Sequence, residues 1–564
     1  MSSASTAALH VRTGPAAKAH PGVPLGAYIL GALRQHAASA LDIPAQVDSL
    51  SGRELSFPEM LRQSVQAAEG WRALGLGSGD TLAVFAFNNH HLYPAFFGAV
   101  LEGITVAIVK HSTAEELRGF LEKCGPKAIL TEPSSLDVTL SVAGPRGLDL
   151  LHVVTADGAL DVPQRDGDRV LTTRDLLARG AAADPAAYRP ASVVDPKEHI
   201  AFLSFSSGTS GLPKMVRLSD YSFTMTLLFM TDWLVRPGDR VFITSQLAWI
   251  TGLAFTLTCT VVGATRVFGW YDASASEVDW FGTLQRHRIS TWFLAPPGLT
   301  LLAAEARARR ARGQEVPMGS VRALLTSGTG LHADAQRHFA EVLDTPVVQW
   351  YGITEVGIVS SDGLPARPGS VGRLAPGVQL RLVDVESGLD IAAPNVLGEV
   401  RATAESLMSG YQGHPGGPAA SLADVLDEHG FYRTGDLGYL DSDGFLFLVD
   451  RMKDSLKFDG VPISPAEVEA VLVSHPAVKE AAVVGRPHPR LVDVPTAFVV
   501  RQDGAGDVSE AELQDLVKDR LSYEKWLRGG VFFRDDIPKL TNGKVDRRAL
   551  KDWLKTLPVP DCEL

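Results

Sequence analysis

Residues 204–219 read Ser-Phe-Ser-Ser-Gly-Thr-Ser-Gly-Leu-Pro-Lys-Met-Val-Arg-Leu-Ser. The apolar run Ile200 to Phe205 predicts a buried strand leading into this segment, and Val216 resumes extended chain after it. Between them Ser206, Ser207, Gly208, Thr209, Ser210 and Gly211 concentrate hydroxyls and unhindered backbone amides, followed almost at once by Lys214. Such a loop wraps a polyphosphate, because glycine lets N–H groups converge on one point and hydroxyls add donors. A lysine placed just beyond it supplies charge to the terminal phosphates. The segment is not a Walker loop, since Pro213 precedes the lysine and no Gly-Lys-Ser/Thr ending is present. Read alone, it also has a bland alternative as a solvated Gly/Ser turn between strands.

The chain of 564 residues exceeds what one hydrophobic core holds, so two or more domains are expected. A formal charge of −12 argues against nucleic acid as a partner, because phosphate backbones require a basic surface. The three cysteines, Cys124, Cys259 and Cys562, are far apart and lack metal spacing, which suits reduced thiols in the cytoplasm. No run of about eighteen apolar residues predicts a membrane span. The Ala- and Ser-rich stretch 1–25 is expected to be a disordered leader.

Outward from the loop, strand and helix patterns alternate. Leu55 to Leu74 has helical apolar spacing, Thr81 to Phe87 reads as a strand, Leu92 to Leu101 as a helix, and Ile104 to Val109 as a strand. Glu115 to Glu122 then reads as a helix and Ala128 to Leu130 as a strand. This rhythm predicts an α/β fold of mostly parallel sheets with crossover helices. From Gly372 to Leu448 short strands and turns predict a β-rich subdomain. Beyond the polar run Asp450-Arg451-Met452-Lys453 a compact α+β unit is expected, with helices at Pro465 to Leu472 and Glu510 to Arg520 and a basic tail. The organisation is therefore a large domain over 26–452 and a small one over 453–564.

Four further segments carry chemistry: Trp350-Tyr351-Gly352-Ile353-Thr354-Glu355, Tyr432-Arg433-Thr434-Gly435-Asp436-Leu437, Asp450 to Lys457 leading to Gly460, and Ile537 to Arg548 with the Asn542-Gly543-Lys544 turn. Each alone has an ordinary reading as a strand end, a turn, a solvated linker or a basic tail. In this order they resemble the acyl-adenylate-forming superfamily, which includes acyl-CoA synthetases, peptide-synthetase adenylation domains and beetle luciferases. The resemblance spans residues 203–548.

The resemblance implies a site for ATP, Mg²⁺ and coenzyme A in a large AMP-binding domain with a mobile small α+β domain. It implies that Tyr351 faces adenine, that Thr354 meets the α-phosphate, that Glu355 binds Mg²⁺, and that Gly328, Thr329, Gly330, Trp350 and Gly352 line the nucleotide. Asp436 and Arg451 would hold the ribose. A carboxylate suits two hydroxyls because it accepts two hydrogen bonds and donates none. Lys453 would be the hinge. Lys544 would act in adenylation, and Lys457 and Gly460 after the small domain rotates. The acid pocket would be walled by Trp249, Ile250, Gly252, Leu253, Leu331, Trp350 and Val356.

The chain departs from its relatives at three places. Met215 follows Lys214 where glycine is usual, as in medium-chain acyl-CoA synthetases. Trp350 stands where luciferase-like members have glycine, so the indole either floors the acid pocket or crowds ATP. Pro462 replaces a glutamine and removes a backbone donor. The expected activity is acid activation through an acyl-AMP and transfer to coenzyme A. The alternatives are a carrier-protein phosphopantetheine as acceptor, or an enzyme confined to one half-reaction.

Overall fold

In the computed structural model the strand Ile200–Ser206 lies inside a sheet of seven strands, which accounts for its mostly apolar sequence. The structure describes residues 9–39, 43–110, 112–143, 151–156, 169–206, 214–233, 235–269, 279–328, 331, 333–385, 387–413, 422–451, 456–459, 461–463, 465–502, 507–538 and 545–557. Across this sheet the order is Lys214–Ser219, Ile200–Ser206, Thr105–Ile108, Thr81–Phe85, Ala128–Thr131, Leu151–Val154, Arg169–Thr172. Neighbours are parallel except the first pair, which is antiparallel with Lys214 opposite Ser206. The loop segment therefore joins a hairpin and not a crossover, because too few residues separate its strands to hold a helix.

A second sheet of nine strands runs Arg373–Leu374, Gly357–Ser361, Val347–Ile353, Ala323–Thr326, Thr291–Phe293, Arg240–Ile243, Thr265–Phe268, Pro44–Asp48, Glu54–Ser56. Its centre is parallel and its two ends are antiparallel. Helices fill the space between the sheets. Leu92–Leu101 shows no amphipathic face in its sequence, and all of its residues are buried. Phe57–Ala73 begins at a capping box, with Ser56 and Glu59 each bonding the other's backbone N–H. Leu25–Ala37 and Ile250–Val262 add to the same core.

The β-rich subdomain is an antiparallel sheet of Arg12–Thr13, Gln379–Val383, Gly398–Thr403, Tyr432–Leu440 and Leu446–Arg451. Its outer strand corrects the expectation of a disordered leader over 1–25. Arg12 pairs with Leu380, Thr13 with Gln379, and the Gly14 N–H donates to the Val378 carbonyl at 2.8 Å. The open edge of the sheet offers unpaired backbone groups, and this segment satisfies them. Residues 1–8 lie outside the described residues.

The small domain has its own sheet, ordered Val461–Ile463, Leu456–Phe458, Val492–Arg501, Val478–His488, with Val531–Phe533 also beside Val492–Arg501. Alternation along its strands serves two cores. Ala481, Val483, Ala497 and Val499 pack with Val468, Leu472, Leu513 and Val517 from the helices Pro465–Val473 and Glu510–Arg520. Ala482, Val484, Phe498 and Val500 pack with Leu550 and Leu554 of the helix Arg547–Leu554, so the expected basic tail is in part a docked helix. No described helix is long and apolar enough to cross a membrane.

Candidate active site

One strand with the turn after it organises the site. Val347–Ile353 carries Trp350 and Tyr351 as buried residues, then exposes Gly352 and half-buries Thr354 before Glu355. The Tyr351 hydroxyl donates to Asp436 Oδ2 at 2.6 Å, although the two residues are 85 positions apart. Asp436 is buried, and its own N–H is held by Thr434 Oγ1 at 3.0 Å. Across the ladder Asp436 stands opposite Arg451, so the two expected ribose residues are neighbours on adjacent strands.

Glu355 has a partner that the sequence reading missed. The Tyr411 hydroxyl donates to Glu355 Oε1 at 3.1 Å and shares a 2.9 Å hydrogen bond with the Tyr432 hydroxyl. The Lys214 ammonium lies 4.8 Å from the centroid of the same Tyr411 ring. Tyr411 reaches this place because Val216 and Tyr411 form a bridge and the Gln412 N–H donates to the Met215 carbonyl at 2.8 Å. Burial, the Glu355 carboxylate and Tyr432 all push the Tyr411 pKa far up, so the hydroxyl remains a donor. The local signal was Gly410-Tyr411, too short to mark a site. Glu355 is 8% exposed and has no ion-pair partner among the described residues. A buried carboxylate without a counter-cation fits a divalent metal. Among the described residues, no group of three or more His, Cys, Asp or Glu forms a metal cage there.

On the apolar side, Trp350 packs edge-on against Phe255 and Phe293, each with ring centroids 5.9 Å away. It is 7% exposed, and its indole N–H has no hydrogen-bond partner among the described residues. Trp249 sits at the start of helix Ile250–Val262, and the half-buried Ile250 and the fully buried Leu253 follow. Gly252 is required there, because a Cβ would stand 2.1 Å from the Gln246 carbonyl oxygen. Val356 is fully buried in the same core as Trp350. Leu331 lies in the second core of the large domain. It packs there with Leu324, Phe339 and Leu343, while its backbone is bonded on both sides by Gln349.

Ser207, Gly208, Thr209, Ser210, Gly211, Thr329, Gly330, Lys453, Gly460 and Lys544 lie outside the described residues. Ser206 ends its strand opposite Lys214, and Gly328 adopts a positive φ of 88° that glycine permits. Lys457 is on Leu456–Phe458, paired with Pro462 of the adjacent strand. A proline is tolerated at that outer strand, which ends the sheet.

Comparison with known proteins agrees with this geometry. The chain is 30% identical to 4-coumarate–CoA ligase 1 of Oryza sativa subsp. japonica, covering 95% of this chain and 93% of the relative. It is 26% identical to the luciferin 4-monooxygenase of Luciola mingrelica, covering 92% and 93%. Among solved structures, the amide bond synthetase McbA of Marinactinospora thermotolerans shares the fold with a TM-score of 0.77 and 24% identity, over 94% of this chain and 99% of that one. An o-succinylbenzoate CoA synthetase of Bacillus subtilis, bound to a product analogue, gives 0.75 and 24% over 93% and 98%. The pattern of the AMP-binding enzymes matches residues 33–412, and that of their C-terminal domain matches residues 467–544. The chain belongs to the AMP-binding enzyme family.

Proposed function

We propose that this chain is an ATP-dependent acid–CoA ligase acting through an acyl-AMP, with Mg²⁺ as metal and a hydrophobic carboxylic acid as substrate. The observation that carries this reading is the convergence on one strand. Tyr351 with Asp436, Glu355 with Tyr411 and Lys214, and Trp350 among aromatic side chains all sit on Val347–Ile353 or just after it. That spacing suits one nucleotide with an acid beside its α-phosphate.

In this reading the hydroxyls and amides of residues 206–211 and the Lys214 ammonium bind the β- and γ-phosphates, and Asp436 accepts from the ribose hydroxyls. Glu355, oriented by Tyr411, would hold Mg²⁺, whose charge would offset that of the phosphates. Thr354 donates to an α-phosphate oxygen. The carboxylate oxygen of the acid attacks the α-phosphorus, and pyrophosphate leaves with the electron pair of the broken P–O bond. Lys544 offsets the charge that gathers between carboxylate and phosphate. The small domain then turns about Lys453 and brings Lys457 and Gly460 to the acyl-AMP. The thiol of coenzyme A loses its proton and forms the C–S bond, and AMP departs with the mixed-anhydride oxygen. Both described cysteines, Cys124 and Cys259, are buried with thiol pKa values pushed up to about 12, mainly by burial, and no protein nucleophile is required.

The test is a panel of aryl, alicyclic and medium-chain acids with ATP, Mg²⁺ and coenzyme A. AMP, pyrophosphate and an acyl-CoA should form in equal amounts with at least one acid. Release of ADP, or AMP formation with no thioester on free coenzyme A, would contradict the reading. The second outcome would point to a carrier-borne phosphopantetheine.

A further inference from the structure

The two domains meet at a group of charges that the nucleotide residues do not use. The loop after Thr105–Ile108 contributes Lys110, and the first turn of the helix Ala114–Cys124 contributes Glu116. From the small domain come Glu467, at the start of Pro465–Val473, and Glu524 and Lys525, in the turn Tyr523–Lys525. Lys525 Nζ donates to Glu467 Oε1 at 2.8 Å and, across the domain boundary, to Glu116. Lys110 pairs across the same boundary with Glu524, whose Oε1 also accepts from Ser522 Oγ at 2.8 Å. Beside them Thr113 Oγ1 donates to the Arg520 carbonyl at 2.9 Å.

The side chains of Glu116 and Glu467 are 6% exposed, and those of Lys525 and Glu524 are 9% exposed. Charges so deeply buried are destabilising unless paired. Lys525 and Glu467 pair within the small domain, whereas Glu116 pairs with Lys525, and Lys110 with Glu524, only across the boundary. Burial works against the charged form of Lys525, but Glu467 and Glu116 outweigh it and raise its pKa above the ordinary lysine value.

Two contacts connect this group to the reaction. Lys110 Nζ lies 5.5 Å from the centroid of Trp249, at the head of the helix that starts the apolar pocket. On the other side, Phe458 packs on Tyr523 with ring centroids 5.9 Å apart, and the Arg528 guanidinium lies 4.7 Å over Phe458 and 3.9 Å over Tyr523. The turn that carries Glu524 and Lys525 therefore also holds the strand of Lys457, and it holds that strand on the Trp249 side of the large domain.

We propose that Lys110, Glu116, Glu467, Glu524 and Lys525 form an interdomain latch for the thiol-transfer arrangement, with Lys110 positioning Trp249 according to whether the latch is closed. This rests on the ligase reading, in which Lys457 and Gly460 serve the second half-reaction. When the small domain turns for adenylation, the Glu116–Lys525 and Lys110–Glu524 pairs separate and their charges rehydrate, while Lys525 keeps Glu467. The latch thus sets how long the enzyme stays in the thiol-transfer arrangement.

The experiment measures both half-reactions in Lys525→Met, Glu116→Gln, Lys110→Met, Glu524→Gln and the Lys110→Met/Glu524→Gln double variant. ATP–pyrophosphate exchange reports adenylation, and coenzyme A-dependent consumption of supplied acyl-AMP reports thiol transfer. The ratio of the two rates is independent of how much variant is folded. The ratio of thiol transfer to exchange should fall about tenfold in Lys525→Met and in Glu116→Gln. The double variant should be no worse than the Lys110→Met or Glu524→Gln single variant, because one contact is lost in each. An unchanged ratio, or additive losses in the double variant, overturns the latch. Failure of the unaltered enzyme to form any acyl-AMP counts instead against the ligase reading.

Discussion

Replacing Trp350 by alanine separates two roles for the indole, pocket wall or obstacle to ATP. The side chain is 7% exposed and stacks edge-on with both Phe255 and Phe293. Its removal should destabilise the large domain by about 3–5 kcal/mol, the usual range for a buried Trp→Ala change. The two aromatic contacts contribute about 0.5–1.5 kcal/mol each of that beyond simple burial. The freed space should also alter acid choice, since each newly buried methylene is worth about 0.8 kcal/mol. An acid two carbons larger than the preferred one should therefore gain about tenfold in kcat/KM relative to it. The assay is kcat/KM for a graded acid series by AMP release, with ATP affinity measured calorimetrically on the same preparations. ATP affinity should be unchanged, because Tyr351 and Asp436 remain bonded to each other. An unaltered acid ranking together with faster ATP–pyrophosphate exchange would refute pocket shaping and show that the indole obstructs the nucleotide.

Three other perturbations test separate parts of the account. Tyr411→Phe keeps the ring under Lys214 but removes the 3.1 Å hydrogen bond to Glu355. A bond to a charged acceptor is worth about 1.5–3 kcal/mol, so Mg²⁺-ATP affinity should fall at least tenfold while metal-free AMP binding stays constant by calorimetry. Lys544→Ala should slow acyl-AMP formation by about a hundredfold or more and spare thioester formation from supplied acyl-AMP; equal losses in both would remove Lys544 from adenylation. His199 lies 3.1 Å from Asp220 and bonds the Gly103 carbonyl at 2.8 Å. Burial opposes its charge, but Asp220 outweighs it, so the folded pKa lies above the ordinary 6.5. The resulting stability is fully present below about pH 6.5 and is lost as pH rises through the folded pKa. Asp220→Asn should abolish that slope in urea titrations run between pH 6 and 8, and an unchanged slope would assign it to other groups.

The parts of this protein legible in its sequence are those whose information is local. Leu92–Leu101 and Glu510–Arg520 were bounded correctly from apolar spacing, and Ser509 with Glu512 closes a capping box at the second of these. The strand Ile200–Ser206 followed from its mostly apolar run. What escaped depends on partners far along the chain. The antiparallel pairing of Lys214–Ser219 and the docking of Arg12–Thr13 on Gln379–Val383 satisfy sheet edges, which no period encodes. Tyr411 enters the site because its chain bridges to Val216. Leu331, expected on the pocket wall, is bonded on both sides of its backbone by Gln349 and packs with Leu324, Phe339 and Leu343, contacts that no local pattern encodes. Glu116 falls in a segment legible only as a helix, and nothing in the sequence singles out Lys525. Only the juxtaposition of the two domains shows that both are buried and paired.

The central claim is that a carboxylate of the acid becomes bonded to the α-phosphorus of ATP before the thiol arrives. It is tested most directly with an acid that supports thioester formation, labelled with ¹⁸O in both carboxylate oxygens, in a single turnover with ATP, Mg²⁺ and coenzyme A. One ¹⁸O atom should appear in AMP, the other should remain in the acyl-CoA, and pyrophosphate should be unlabelled. Label in pyrophosphate or in inorganic phosphate, or unlabelled AMP formed alongside the thioester, would contradict the account.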